Sequence, residues 1–207
     1  MIMKNKNQKV SVVIRAKNEE RWIGHTIQSI LDFIPYPEII VIDNDSEDRT
    51  VEIAKHFQSD PELVTNRAYT QVRIFDIEGY TPGKAINYGA QQASSDYLLV
   101  ISGHCVLRQF NFDQHLNDLE DYVAIFGNQI PIWEGKKIKK RYLWTHFGHD
   151  KVVNMYSEME ERYFLHNGAC LYKKQTLIDN PFDENLTGKE DRYWANKMIS
   201  DKRKILY

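Results

Sequence analysis

"VSVVIRAKNEERWIGHTIQSILDFIPYPEIIVID", residues 10–43, decides the fold. Val10 to Ala16 form a nearly continuous apolar run rich in β-branched residues, the pattern of a strand covered on both faces. Trp22, Ile23, Ile27, Ile30, Leu31 and Ile34 then share one helical face, and Pro35 and Pro37 close that helix. A second buried strand follows at 38–43. Two such strands separated by one helix predict a parallel pair with a right-handed crossover.

The pattern continues downstream. "NDSEDRTVEIAKHF" (44–57) reads as a turn into an amphipathic helix, with Asp45 or Ser46 as N-cap and Asp48 near its positive end. "QVRIFDI" (71–77) is a third strand. "TPGKAINYGAQQASS" (81–95) reads as a glycine turn and a helix through Ala85, Ile86 and Gly89 to Ala93, leading into a strand at Tyr97–Ile101. Four alternations of strand and helix predict an α/β sandwich with a mostly parallel central sheet. Ligands bind beyond the carboxyl ends of strands in such sheets. Arg15-Ala16-Lys17-Asn18, Asp43-Asn44-Asp45 and Ser102-Gly103-His104 are therefore expected along one edge. The second half is less regular: a strand-like stretch at 121–133, a basic stretch "GKKIKKRYLW" (135–144), a strand-like "GACLYKK" (168–174) and a helix from about Glu190. Without a repeat, a low-complexity segment or a clear linker, residues 1–207 read as one domain.

Composition narrows the partners. The chain has 207 residues, 42% hydrophobic and 27% charged, which suits a soluble globular protein with a sizeable core. A net charge of -2 gives no general attraction to nucleic acid or to membranes, so any charged partner must be met by a local patch. No apolar run reaches about 18 residues and no charged-then-apolar leader is seen, so the expected location is cytoplasmic. Cys105 and Cys170 lie in apolar segments without metal-type spacing and read as buried free thiols.

Four segments together resemble the family 2 glycosyltransferases of GT-A fold: "VSVVIRAKNEERWIGHTIQSIL", "IIVIDNDSEDRT", "GKAINYGAQQASSDYLLVISGHCVL" and "FDENLTGKEDRYWA". They stand in family order and span about residues 10–195. The resemblance implies a GT-A (Rossmann-like) three-layer sandwich with a nucleotide-binding half at about 1–107 and an acceptor-binding half at about 108–207. It also implies inverting transfer from a nucleotide-diphosphate sugar to an acceptor hydroxyl, usually with a divalent metal, Mn²⁺ or Mg²⁺, on the diphosphate.

Each segment carries its own chemistry. Arg15, Ala16, Asn18 and Glu19 leave the first strand where groups can contact a base, ribose or phosphate; a solvated helix start is the plainer alternative. Asp43 and Asn44 sit at a strand end, which capping does not explain. In the family a carboxylate near Asn44 accepts the uracil imide N–H. An Asn carbonyl can accept that bond too, but its amide also donates, so uracil, thymine and cytosine stay open. Lys84 follows a glycine turn at a helix start and suits a diphosphate as a point charge. Asn87 fits either the site or a helix-to-loop bond.

Most family members end the fourth strand in Asp-x-Asp, whose second carboxylate holds the metal. Ser102, Gly103 and His104 stand there in this chain. Three readings follow: His104 as a metal ligand, with imidazole favouring softer ions than Mg²⁺; His104 on the diphosphate without metal; or a structural site. Ser102 could bond ribose. A second ligand could come from His146, His149 or His166. By the family match Asp191 is the general base and Glu190 an acceptor contact, against helix-dipole complementation as the alternative. Asn167-Gly168 permits close backbone approach near the acceptor. The basic residues of 136–144 are a candidate contact for anionic lipid, which would suit a lipid-linked glycan acceptor. Two rivals are a sugar-1-phosphate nucleotidylyltransferase, which needs a glycine-rich loop that "RAKNEE" lacks, and a non-catalytic nucleotide-sugar binding module.

Overall fold

The computed structural model describes residues 10–58, 71–137, 148 and 150–207. In chain order the elements are β1 (Val10–Ala16), α1 (Ile23–Phe33), β2 (Glu38–Asp43), α2 (Thr50–Lys55), β3 (Gln71–Asp76), α3 (Pro82–Gln92), β4 (Tyr97–Ser102), α4 (Phe112–Asp118) and β5 (Ala124–Phe126). They continue with β6 (Ile132–Trp133), β7 (Lys136–Lys137), β8 (Tyr156–Ser157), β9 (Arg162–Tyr163), β10 (Ala169–Lys173), α5 (Lys174–Asp179), α6 (Glu190–Ser200) and β11 (Ile205–Leu206).

One seven-stranded sheet runs in the order β11-β5-β10-β4-β1-β2-β3. Its ladders are parallel except those of β10, which is antiparallel to both β4 and β5. The expected α/β sandwich with a mostly parallel sheet is thus the observed fold. The two-residue strands β6–β7 and β8–β9 form separate hairpins.

Period-2 alternation sorts the strand side chains into two cores. Val12, Ile14, Ile39, Val41, Leu99 and Ile101 face α1, α2 and α4, packing with Ile23, Ile27, Ile30, Ala54 and Leu116. Val13, Ile40, Ile42, Leu98 and Val100 face α3, α5 and α6, packing with Ile86, Leu177, Trp194 and Met198. A layer of helices on each face makes the third dimension of the sandwich and explains why the central strands are apolar throughout.

Local outcomes differ from the sequence reading in two places. The second helix starts at Thr50, not beside Asp45 or Ser46. Asp43 accepts bonds from the Ser46 N–H (2.8 Å) and hydroxyl (2.7 Å), and Asp48 accepts from Thr50 N–H (2.9 Å), so the turn residues bond among themselves and keep 44–49 a loop. The apolar stretch 121–133 contributes only three residues to the main sheet before the chain leaves for the β6–β7 hairpin. Both cysteines are free, and burial pushes the Cys105 thiol up to about 11. Among the described residues no helix is long and apolar enough to cross a membrane. Residues 138–144, His146 and His149 lie outside the described residues.

Candidate active site

The register aligns Arg15 with Ser102 and Ala16 with Asp43 at the carboxyl ends of β1, β4 and β2. The antiparallel β10 brings its own start, Asn167-Gly168, to the same edge, where Ser102 N–H bonds the Gly168 carbonyl at 3.2 Å. α6 begins there as well.

Arg15 joins these pieces. Its Nη1 donates to Glu190 Oε1 at 3.1 Å, and its Nη2 donates to Ser102 Oγ and to the Asn167 carbonyl, each at 3.2 Å. Three elements far apart in sequence are thereby tied to one guanidinium, whose fixed fork geometry suits several acceptors at once. Both charges are largely buried, so losing either partner would cost about 3–5 kcal/mol.

The two loops that follow β1 and β2 brace each other. Asn18, at φ +52°, donates its N–H to Ser46 Oγ (2.9 Å) and accepts the Glu47 N–H (2.9 Å). Asn44 N–H bonds the buried Ala16 carbonyl at 2.9 Å, Lys17 Nζ reaches the Asp45 carbonyl at 2.6 Å, and Glu19 N–H bonds Thr50 Oγ1 at 2.6 Å. Asp43 is buried and committed to Ser46, so it shapes the loop, while Asn44 stands half-exposed at its mouth.

At the end of β4, Gly103 is buried; a Cβ there would lie 3.1 Å from Glu19 Cγ and 3.2 Å from the Arg15 carbonyl oxygen. A side chain at the middle of the Ser-Gly-His triplet would therefore press on Glu19 and the Arg15 carbonyl. His104 is 60% exposed and its Nδ1 lies 2.6 Å from Glu19 Oε1. The ligand-type side chains at this strand end are His104 and Glu19. Among the described residues no three His, Cys, Asp or Glu side chains gather as a metal site. The Arg15 guanidinium bonds Ser102 Oγ at 3.2 Å, and its fixed charge opposes a second cation nearby. His166 supplies no second ligand through Nδ1, which accepts the Gly168 N–H at 3.0 Å and meets Gln129 Nε2.

α3 opens with Thr81 as N-cap and Pro82 in its first turn. Lys84 Nζ folds back onto the Glu78 carbonyl. Asn87 is a helix-to-loop brace: it donates to the Phe182 carbonyl and Glu184 Oε1 and accepts the Phe182 N–H, each at 2.9 Å.

The acidic pair opens α6, whose positive end favours both carboxylates. Glu190 points to Arg15. Burial and the adjacent Asp191 charge push its carboxyl above the ordinary range, with Arg15 pulling it back. Asp191 points elsewhere: Oδ1 accepts from Arg192 N–H (2.9 Å) and Arg192 Nη1 (2.8 Å), and among the described residues Oδ2 accepts only a long bond, 3.4 Å, from Asn167 N–H. The Asn167 side chain accepts the buried Tyr172 hydroxyl at 2.6 Å, which fixes this corner. A Cβ on Gly168 would lie 2.6 Å from Gln129 Nε2 and 2.9 Å from His166 Nδ1, so a larger residue there would displace these side chains.

Two residues of this site were not singled out from sequence. Tyr80, in the loop before α3, has its phenol pushed up by burial and feels the charges of Arg15, Glu190 and Asp43, which places it over the same edge. Its position just beyond β3 was the available signal. Arg192, buried beside the acidic pair, carried no sequence signal beyond adjacency.

Residues 11–180 match the family described as Glycosyl transferase family 2, and the chain belongs to it. It is 27% identical over 202 residues to the glycosyltransferase AglE of Haloferax volcanii, covering 91% of this chain and 60% of that protein. The fold is similar to the crystal structure of S. aureus TarS 1–349 in complex with UDP-GlcNAc, with a TM-score of 0.64, 19% identity, and coverage of 90% of this chain and 52% of that one. It is also similar to the mannosyltransferase PcManGT of Pyrobaculum calidifontis in complex with GDP-Man and Mn²⁺, with a TM-score of 0.65, 15% identity, and coverage of 96% and 54%. The chain thus spans less than two thirds of the length of these proteins.

Proposed function

We propose that this chain is the transferase unit of an inverting glycosyltransferase that moves a sugar from a nucleotide-diphosphate donor to a hydroxyl of a glycan, free or lipid-linked. The observation that carries the reading is the pair of α6 carboxylates at the ligand-binding edge of the sheet, with Asp191 Oδ2 the less engaged oxygen. In the step, the acceptor oxygen bonds to the anomeric carbon as its proton passes to Asp191 Oδ2. The bond from that carbon to the diphosphate breaks, and the nucleoside diphosphate leaves with the electron pair.

The 1–107 half holds the donor. Asn18, Glu19 and Asn44 meet the nucleoside at the mouth of the braced loops, with Arg15, Ala16 and Asp43 behind them as framework. Ser102 and Gly103 give the donor close access to the strand end. Lys84 swings from the Glu78 carbonyl to the diphosphate, and His104 donates to the same phosphates, so the departing charge meets protein groups. The 108–207 half receives the acceptor through Glu190, Asn167 and Gly168. The basic stretch 136–144 faces anionic lipid when the acceptor is lipid-linked, on the cytoplasmic side of the membrane.

The test is Asp191→Asn with donor affinity measured by calorimetry and transfer by nucleoside diphosphate release. Turnover should fall by about 10²–10⁴-fold, the usual worth of a general base, with donor affinity kept. Turnover at the unmodified rate would remove Asp191 as the base.

A further inference from the structure

Arg192 and Glu160 form a buried chain behind Asp191. Arg192 Nη1 holds Asp191 Oδ1 at 2.8 Å, and its Nε lies 3.3 Å from Glu160 Oε2. All three side chains are at least nine-tenths buried. The guanidinium also lies over the Phe164 ring, 4.4 Å from its centroid, which fixes its plane. Glu160 belongs to the turn between β8 and β9, and that hairpin is docked on α6: Tyr163 N–H bonds Asn196 Oδ1 at 3.0 Å, and Arg162 lies over Tyr193.

We infer that Arg192 is a positioning residue for transfer, held by Glu160, and that the β8–β9 hairpin thereby sets the catalytic carboxylate. The inference rests on reading Asp191 as the base. By taking two bonds at Oδ1, from the Arg192 backbone and side chain, Arg192 fixes the carboxylate plane and directs the remaining basicity to Oδ2. Glu160 keeps the guanidinium from collapsing fully onto Asp191: the pair is an ion contact without hydrogen-bond geometry, and neither Arg192 Nε nor Glu160 Oε2 has a hydrogen-bond partner among the described residues. A buried Arg shared between two carboxylates leaves each less neutralised than a private pair would. Glu190, held by Arg15 on the other side, is excluded from this chain, so the two adjacent carboxylates are given separate partners.

The experiment compares Arg192→Lys and Glu160→Gln with the unmodified protein, using kcat and KM for transfer, calorimetric affinity for the donor, and the urea midpoint. A lysine keeps the charge but cannot bridge Asp191 and Glu160 with a planar fork. Both variants should lose about 10–100-fold in kcat, the cost of a misplaced reacting group, with donor affinity and KM nearly unchanged. Arg192→Ala should regain part of its kcat on addition of guanidinium ion, a rescue that a purely structural role does not give. Unchanged kcat in Arg192→Lys, or kcat and donor affinity falling together without guanidinium rescue, overturns the inference. Full turnover in Asp191→Asn would instead overturn the underlying base assignment, so the two failures are distinguishable.

Discussion

His166 makes the folded protein acid-sensitive in a measurable way. Burial lowers its imidazole from 6.5 to about 4, with Arg192, Arg15 and His104 adding to the effect and Asp191 opposing it. Nδ1 accepts the Gly168 N–H, which fixes the neutral tautomer protonated at Nε2. As pH falls below 6.5 the unfolded chain takes up a proton that the folded chain refuses, so the unfolded state binds more protons and stability drops. At 1.36 kcal/mol per pH unit, the loss reaches about 2 kcal/mol at about pH 5 and about 3 kcal/mol near pH 4. The substitution His166→Gln keeps an acceptor for the Gly168 N–H and removes the titration. Urea unfolding of both proteins at about pH 7 and pH 5 isolates the effect, because every other group titrates in both. The stability difference between them should shift by about 2 kcal/mol in favour of the variant at the lower pH. A difference that stays the same at both pH values would refute the buried neutral imidazole.

The absence of a carboxylate at the β4 end and the guanidinium on Ser102 predict that EDTA leaves donor affinity and turnover unchanged; a loss restored by Mn²⁺ refutes this. Asn44, at the mouth of the loops proposed to hold the nucleoside, predicts tighter calorimetric binding of uridine or thymidine diphosphate than of guanosine diphosphate, and the reverse order refutes it. At Gly89, where α3 crosses β1, an added Cβ would lie 2.5 Å from Val13 Cγ1. Gly89→Ala should therefore lower the urea midpoint by an amount equivalent to about 1–3 kcal/mol of overpacking, despite the roughly 1 kcal/mol gain in helix propensity; a raised midpoint refutes this.

The sheet was legible because its signals are local. Val10–Ala16, Glu38–Asp43 and Tyr97–Ser102 are apolar on both faces, and the helix between the first two has one apolar stripe, so periodicity alone distinguishes them. The start of α2 was not legible, because Asp43, Ser46 and Asp48 can cap a helix or bond within a turn, and only their contacts with Asn18 and Glu20 select the turn. The position of the site followed from the rule for carboxyl edges, which placed Arg15, Asp43 and Ser102 together. Their roles did not follow. Arg15 was read as a nucleotide contact; its guanidinium also ties Glu190, Ser102 and Asn167 together, the first of them 175 residues away.

The sequence by itself determined a family 2 chain with a mostly parallel sheet, an acidic pair opening a late helix, and a strand end with His104 in place of carboxylates. Tertiary structure decided what these groups face. It put a guanidinium on Ser102, Glu19 on His104, Arg15 on Glu190 and Arg192 on Asp191. Burial and charge pairing act through distances in space, and residues brought together from β1, β4, β10 and α6 carry no mark of that meeting in the order of the chain.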